Sequence, residues 1–101
     1  MNPTNMLAQV KKMQAEMQRV QEELAATTVS ASAGGGLVSV DMTCDNRVTA
    51  VKIDPKVVAP GEVETLEDLV IVAVNDALGR AAQESAKRMS AVTGGLRLPG
   101  M

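Results

Sequence analysis

The chain has 101 residues, 46% of them apolar, yet it contains no Phe, Tyr, Trp or His. That length limits it to one domain, and without histidine the commonest catalytic base and metal ligand is missing. A net charge of −2 argues at first against a nucleic-acid partner, and a core built from Val, Leu, Ala and seven Met is small enough that a second copy would help complete it.

Met6, Val10, Met13, Met17, Val20 and Leu24 recur at spacings of 4, 3, 4, 3 and 4, which predicts one long amphipathic helix over residues 1–26. Pro3, Thr4 and Asn5 suit its start. On one flank Lys12, Glu16, Arg19 and Glu23 alternate in sign. They read as a solvated stripe of helix ion pairs worth about 0.2–0.5 kcal/mol each; the alternative is that Lys12 or Arg19 engages a ligand. The opening "MNPTNMLAQVKKMQ" has no apolar leader segment, and the longest apolar run, Leu69 to Val74, is far too short to span a bilayer. A soluble cytoplasmic protein with no membrane partner is expected.

Residues 27–54 carry strand signals. "TTVSASA" is β-branched and small, and "LVSVDMTC" places Val38, Val40, Met42 and Cys44 on one face. Asp45-Asn46 can turn the chain into "RVTAVKI", which Asp54-Pro55 ends. Three short strands on short links imply an antiparallel meander. Between the first two lie Gly34, Gly35 and Gly36, which raises the question of a phosphate loop. A Walker-type loop continues into Lys-Ser or Lys-Thr, whereas Leu37-Val38 follow here. A dinucleotide loop opens a helix, and this triplet opens a strand. It reads as a bend, with no nucleotide cofactor and no small-molecule substrate. Cys44, the one cysteine, faces the apolar side of its strand and reads as a core thiol without an activating partner; a single cysteine cannot form an internal disulfide and suits a reducing compartment.

Residues 55–63, with Pro55, Pro60 and Gly61, form a loop or a helical turn. A second long helix follows over residues 64–93, started by Thr65 with Asp68 and by the charges of Glu64 and Glu67. Leu69, Val70, Ile71, Val72 and Val74 make its opening apolar on every side. One thin layer cannot cover them all, so they are assigned to a homodimer interface together with part of the sheet. Leu78, Ala81, Ala82, Ser85 and Met89 then form a stripe of mostly small residues. That stripe is expected to receive the first helix, antiparallel, over about 18 residues or roughly 27 Å. Residues 94–101 make a tail. The expected fold class is α+β: long N-terminal helix, three-stranded antiparallel sheet, long C-terminal helix.

Charge is unevenly distributed. Residues 54–76 hold six acids against Lys56, while residues 77–101 hold Arg80, Lys87, Arg88 and Arg97 against Glu84. Glu64, Glu67 and Asp68 are explained as helix-start charges rather than an acid–base pair, and no EF-hand pattern appears. No catalytic residue and no metal ligand is assigned. Arg80, Glu84 and Arg88, four apart, read either as helix ion pairs or as part of a phosphate-binding patch with Lys87.

"MLAQVKKMQAEMQRVQEELA", "SAGGGLVSV", "VKIDPKVV", "LEDLVIVAVNDAL" and "TGGLRLPGM" occur in an order and spacing that resembles the YbaB/EbfC family of bacterial nucleoid-associated proteins, over nearly the whole chain. The resemblance implies a non-enzymatic homodimer with projecting helical arms that binds double-stranded DNA in the nucleoid through its two long helices. It favours a DNA-binding role for Arg80, Lys87, Arg88 and Arg97, with Lys11, Lys12 and Arg19 contributing less because Glu16, Glu22 and Glu23 offset them. The alternative function is a protein-interaction module that docks a partner through the acidic segment or the C-terminal tail.

Overall fold

Good helix formers fill both ends of the chain and β-branched residues its middle, and the backbone follows that division. The structure, a computed structural model, describes residues 3–94. Helix α1 spans Pro3–Ala25, strands β1, β2 and β3 span Thr28–Ala33, Val38–Thr43 and Arg47–Ile53, and helix α2 spans Val63–Gly94. The strands form one antiparallel sheet in the order β1-β2-β3. Pro55–Val57 forms a single 3-10 turn, started by the Asp54 carboxylate, which accepts a hydrogen bond from the Lys56 amide at 2.9 Å.

Both sheet turns use the left-handed backbone region. Gly34, Gly35 and Gly36 have φ of 65°, 70° and 99°, and Asn46 has φ of 69°. The glycine triplet is a β1–β2 turn that no run of larger residues would adopt without strain. Gly34 has a second reason: a Cβ there would lie 2.8 Å from a Leu69 methyl.

The core is asymmetric. Val38, Val40 and Met42 of β2 are almost fully buried and meet Ala31 and Ala33 of β1 and Ala73, Ala77 and Ala81 of α2. Thus α2 lies over β1 and β2 only. The β3 side chains paired with that inner face, Val51 opposite Val40, Ile53 opposite Val38 and Val48 opposite Met42, remain 41–48% exposed.

Two expectations about the helices are corrected. The small side chains that are fully buried, Ala73, Ala77 and Ala81, face the sheet rather than α1, and Leu78 and Ala82 of the expected stripe are exposed. The packing of α1 on α2 is also shorter than 18 residues. It is confined to a second cluster of Val20, Leu24, Cys44 and Val92, flanked by Met17, Val29 and Met89. The reason is length. A six-residue strand runs about 20 Å and takes about 13 helical residues to cover at 1.5 Å each. The opening turns of α2 are occupied in that way, which leaves only its last part for α1. Met6, Leu7 and Val10 therefore stay about half exposed, and the principal extents of the molecule are 70 × 26 × 16 Å.

Replacing Gly35 by Ala should cost about 1 kcal/mol, the usual penalty of a Cβ at positive φ. Gly34→Ala should cost more, because Leu69 must also shift. Urea unfolding of the two variants checks the order; equal losses would mean that Leu69 does not pack against the turn.

Candidate nucleic-acid interface

A helix seated by one narrow stripe presents two distinct flanks. Ala73, Ala77 and Ala81, spaced by four, define the seated stripe of α2. On the flank toward β1 lie Arg80, Gln83 and Lys87, which with Glu84, Val29 and Ser30 line an open groove along the sheet edge. Ile71 and Leu78, seven apart, stand on the other flank beside the uncovered β3 face, and both are exposed.

The cations of the β1 flank differ in freedom. Arg80 Nε donates to Asp76 Oδ2 at 3.1 Å, one turn back, and both side chains are about half exposed. An exposed pair of that kind is worth a few tenths of a kcal/mol and yields readily to a stronger anion. Lys87 is exposed and has no ion pair among the described residues. Ser30 Oγ, at the groove's sheet side, donates to Asp41 Oδ1 at 2.7 Å.

Arg88 behaves otherwise. Its Nε donates to Glu84 Oε1 at 2.9 Å, and its Nη1 stands 3.7 Å from Glu23 Oε2 on α1. Glu23 in turn accepts from Arg19 Nη1 at 2.7 Å. Arg88 is thus half-buried at the junction of the two helices and ties them together, so it is less available to an external anion than Arg80 or Lys87. Lys11 and Lys12 lie exposed on the N-terminal half of α1, away from the β1 groove. Arg97 lies outside the described residues.

The proposed interface residues also divide. Ile71 and Val72 are 57% and 55% exposed, whereas Leu69, Val70 and Val74 are partly buried against the protein's own core. Sequence reasoning did not name Val48, Val51 and Ile53, the sheet's share of the uncovered face, nor Ser30 and Gln83 in the groove. The signal for β3 was available in the alternation of Val38 and Val40. Their partners across an antiparallel pair must share their face, but which strands a single helix covers cannot be read from alternation. Among the described residues no cluster of three His, Cys, Asp or Glu side chains could hold a metal, and no helix is long and apolar enough to cross a membrane.

Comparison with known proteins identifies what the chain is similar to. The model of the YbaB/EbfC DNA-binding family matches residues 1–96. A nucleoid-associated protein of Dictyoglomus turgidum is 47% identical over 98 residues, covering 97% of this chain and 94% of its own. One from Nocardia farcinica is 48% identical over 96 residues, covering 95% and 87%. In fold, the chain is similar to the crystal structure of an uncharacterized protein from Helicobacter pylori, with a TM-score of 0.76 at 21% identity over 89% of this chain and 94% of the other.

Cys44 lies behind this surface, buried where α1 meets the sheet. Desolvation by burial, and next the charge of Glu84, raise its thiol above the ordinary value of 9.0, with Arg88 opposing. The folded chain therefore holds the thiol proton more tightly than the unfolded chain. Stability from this group is fully present below about pH 9 and is lost as pH rises further. Cys44→Ala should be less stable at neutral pH, through the lost packing, but should show a shallower decline between pH 8.5 and pH 10. Parallel denaturation curves of the two proteins across that range check it; identical slopes would mean the thiol is not buried.

Proposed function

The chain belongs to the YbaB/EbfC DNA-binding family, and from that membership we propose that it acts as a homodimer holding duplex DNA through phosphate contacts of its helices. Its proposed place is the bacterial nucleoid, where it contributes to chromosome organisation or gene regulation; the names of its relatives support this. One observation carries the reading: the exposed apolar and exposed basic residues of α2 occupy opposite flanks of the same helix.

The apolar flank suits a second copy. Ile71 and Leu78 of α2 and Val48, Val51 and Ile53 of β3 are all exposed, and β3 is an edge strand. An apolar face beside an unpaired edge is costly to leave in water. A two-fold contact through it leaves both basic flanks and both α1 helices outside the interface, as arms directed at DNA.

The basic flank suits a polyanion rather than a base-reading role. Lys87 is a point charge, and Arg80 exchanges Asp76 for phosphate, displacing counterions from the duplex. Lys11, Lys12 and Arg19 add to this from α1 at the cost of nearby Glu16, Glu22 and Glu23. With no aromatic side chain in the sequence, there is nothing for unpaired bases to stack on, so duplex is favoured over single strand. The net charge of −2 does not oppose this, because screening beyond about 8 Å at physiological salt makes the local patch count for more than the total.

The experiment joins both halves. The unmodified chain should sediment as a dimer at micromolar concentration, and Ile71→Glu with Val51→Lys should give monomer; a mass of 10.5 kDa for the unmodified chain rejects the dimer. Arg80→Glu with Lys87→Glu should lower duplex affinity about tenfold or more and leave the dimer intact. For about three to six neutralised phosphates, the log–log salt slope of the unmodified protein should lie near −3 to −5. A flat salt response would remove phosphate as the ligand and favour a protein-docking module.

A further inference from the structure

The N-terminal half of α1 carries an apolar stripe with no cover among the described residues. Packing of α1 against α2 begins at Met17. On the N-terminal side of it, Met6, Leu7 and Val10 are 52%, 56% and 51% exposed, and Met13 is half-buried. With Pro3 these residues run along one side of the helix for about 15 Å.

We propose that this stripe pairs with the same stripe of a second copy, antiparallel, about a two-fold axis at the level of Ala8. Three features favour a second copy as the occupant. The first is spacing. Pro3, Met6, Val10 and Met13 are separated by 3, 4 and 3 residues, so the pattern reads the same in both directions. Two such helices run head to tail seat Met6 against Val10 of the other copy, knobs into holes, and Met13 against Pro3. The two-fold axis then places each Leu7 beside the other Leu7, and each Gln9 beside the other Gln9.

The second is charge. Leu7 and Gln9 border the stripe on its two sides and neither is charged, so two copies approach without like-charge repulsion. Lys11 and Lys12 lie roughly 130° round the helix from the stripe and stay in solvent. An anionic lipid surface calls for cations at the borders of an apolar stripe and aromatic side chains within it. Here the lysines lie behind the stripe, and the sequence has no aromatic residue.

The third is extent. Four side chains per copy fall well short of the roughly 20 residues a side of a standard stable interface. The contact is therefore weak between free chains, which suits a link that forms only where copies are concentrated. Together with the proposed homodimer, whose contact lies on β3, it gives each chain two separate two-fold contacts. Dimers then join arm to arm in an open row. Only this last step rests on the homodimer; the stripe contact does not.

The test is bridging of single introduced cysteines in the full-length chain by a short bis-maleimide, read as a denatured mass of twice 10.5 kDa. Cys44 is buried and serves as the common background. At high protein concentration, Leu7→Cys should be bridged several-fold faster than Ala8→Cys, whose side chain points away from the stripe. Equal rates overturn the proposal. Fast bridging at Met13→Cys also overturns it, because that would mean parallel pairing. When Leu7→Cys is combined with Ile71→Glu and Val51→Lys, and circular dichroism shows the fold intact, bridging should persist. Its loss would make the contact part of the β3 dimer and overturn a separate site. Unbridged chains that float with phosphatidylglycerol vesicles would assign the stripe to lipid, and unbridged chains that do not float would assign it to a different protein. Both results overturn the proposal.

Discussion

Everything distinctive in this molecule depends on three alanines. Ala73, Ala77 and Ala81 are completely buried against Val38, Val40 and Met42, and side chains of that size let the α2 backbone approach β1 and β2 closely. Close approach has a geometric consequence. A single helix about 10 Å wide lying low over strands about 4.8 Å apart covers two of them and leaves the third bare. The uncovered β3 face, the exposed Ile71 and the open groove beside β1 all follow from that one contact. A larger residue at Ala77 would lift the helix and remove the distinction between its flanks.

The electrostatics follow the same division. Four ion pairs link charged side chains among the described residues, and three of them are between residues four apart on one helix. Such pairs hold side chains in place more than they stabilise the fold. The pairing that crosses between helices, Arg88 with Glu23, is the one with a positional role, because it fixes α1 against the end of α2. The neighbouring Arg80 and Lys87 look the same in the sequence but remain on the outside. Cation count alone therefore overstates the basic surface, and cation position identifies the part of it that can meet an anion.

The elements themselves were legible. Periodicity of 3.5 in residues 6–24, alternation in 38–44, and glycines or Asp-Asn at the turns lead to two helices and a three-stranded antiparallel sheet, as found. The glycine triplet was legible as a bend because the residues after it are wrong for a phosphate loop. What failed to show was which stripe meets which partner. Ala81 belongs to both an i, i+4 series with Ala73 and Ala77 and a series with Leu78 and Ser85, and sequence alone gives no reason to prefer the sheet over α1. The role of Arg88 was hidden similarly: its partner Glu84 lies one turn away, but Glu23 is 65 positions distant in the chain and is brought near only by the fold. Membership of the family was legible in the order of whole segments, whereas the flank of α2 on which each cation stands was legible only in the fold.

The proposed function puts DNA against the β1 flank of α2, where Arg80 and Lys87 stand. The chain has five lysines, and they sample its surface well: Lys11 and Lys12 on α1, Lys52 on β3, Lys56 in the 3-10 turn, and Lys87 in the β1 groove. Acetylation of the native protein with and without a saturating duplex, read lysine by lysine, addresses the claim in one measurement. With DNA on that flank, Lys87 should be strongly protected, Lys11 and Lys12 less so, and Lys56 unchanged in reactivity. Protection of Lys52 and Lys56 with Lys87 still reactive would contradict it and move the DNA to the opposite side of the molecule.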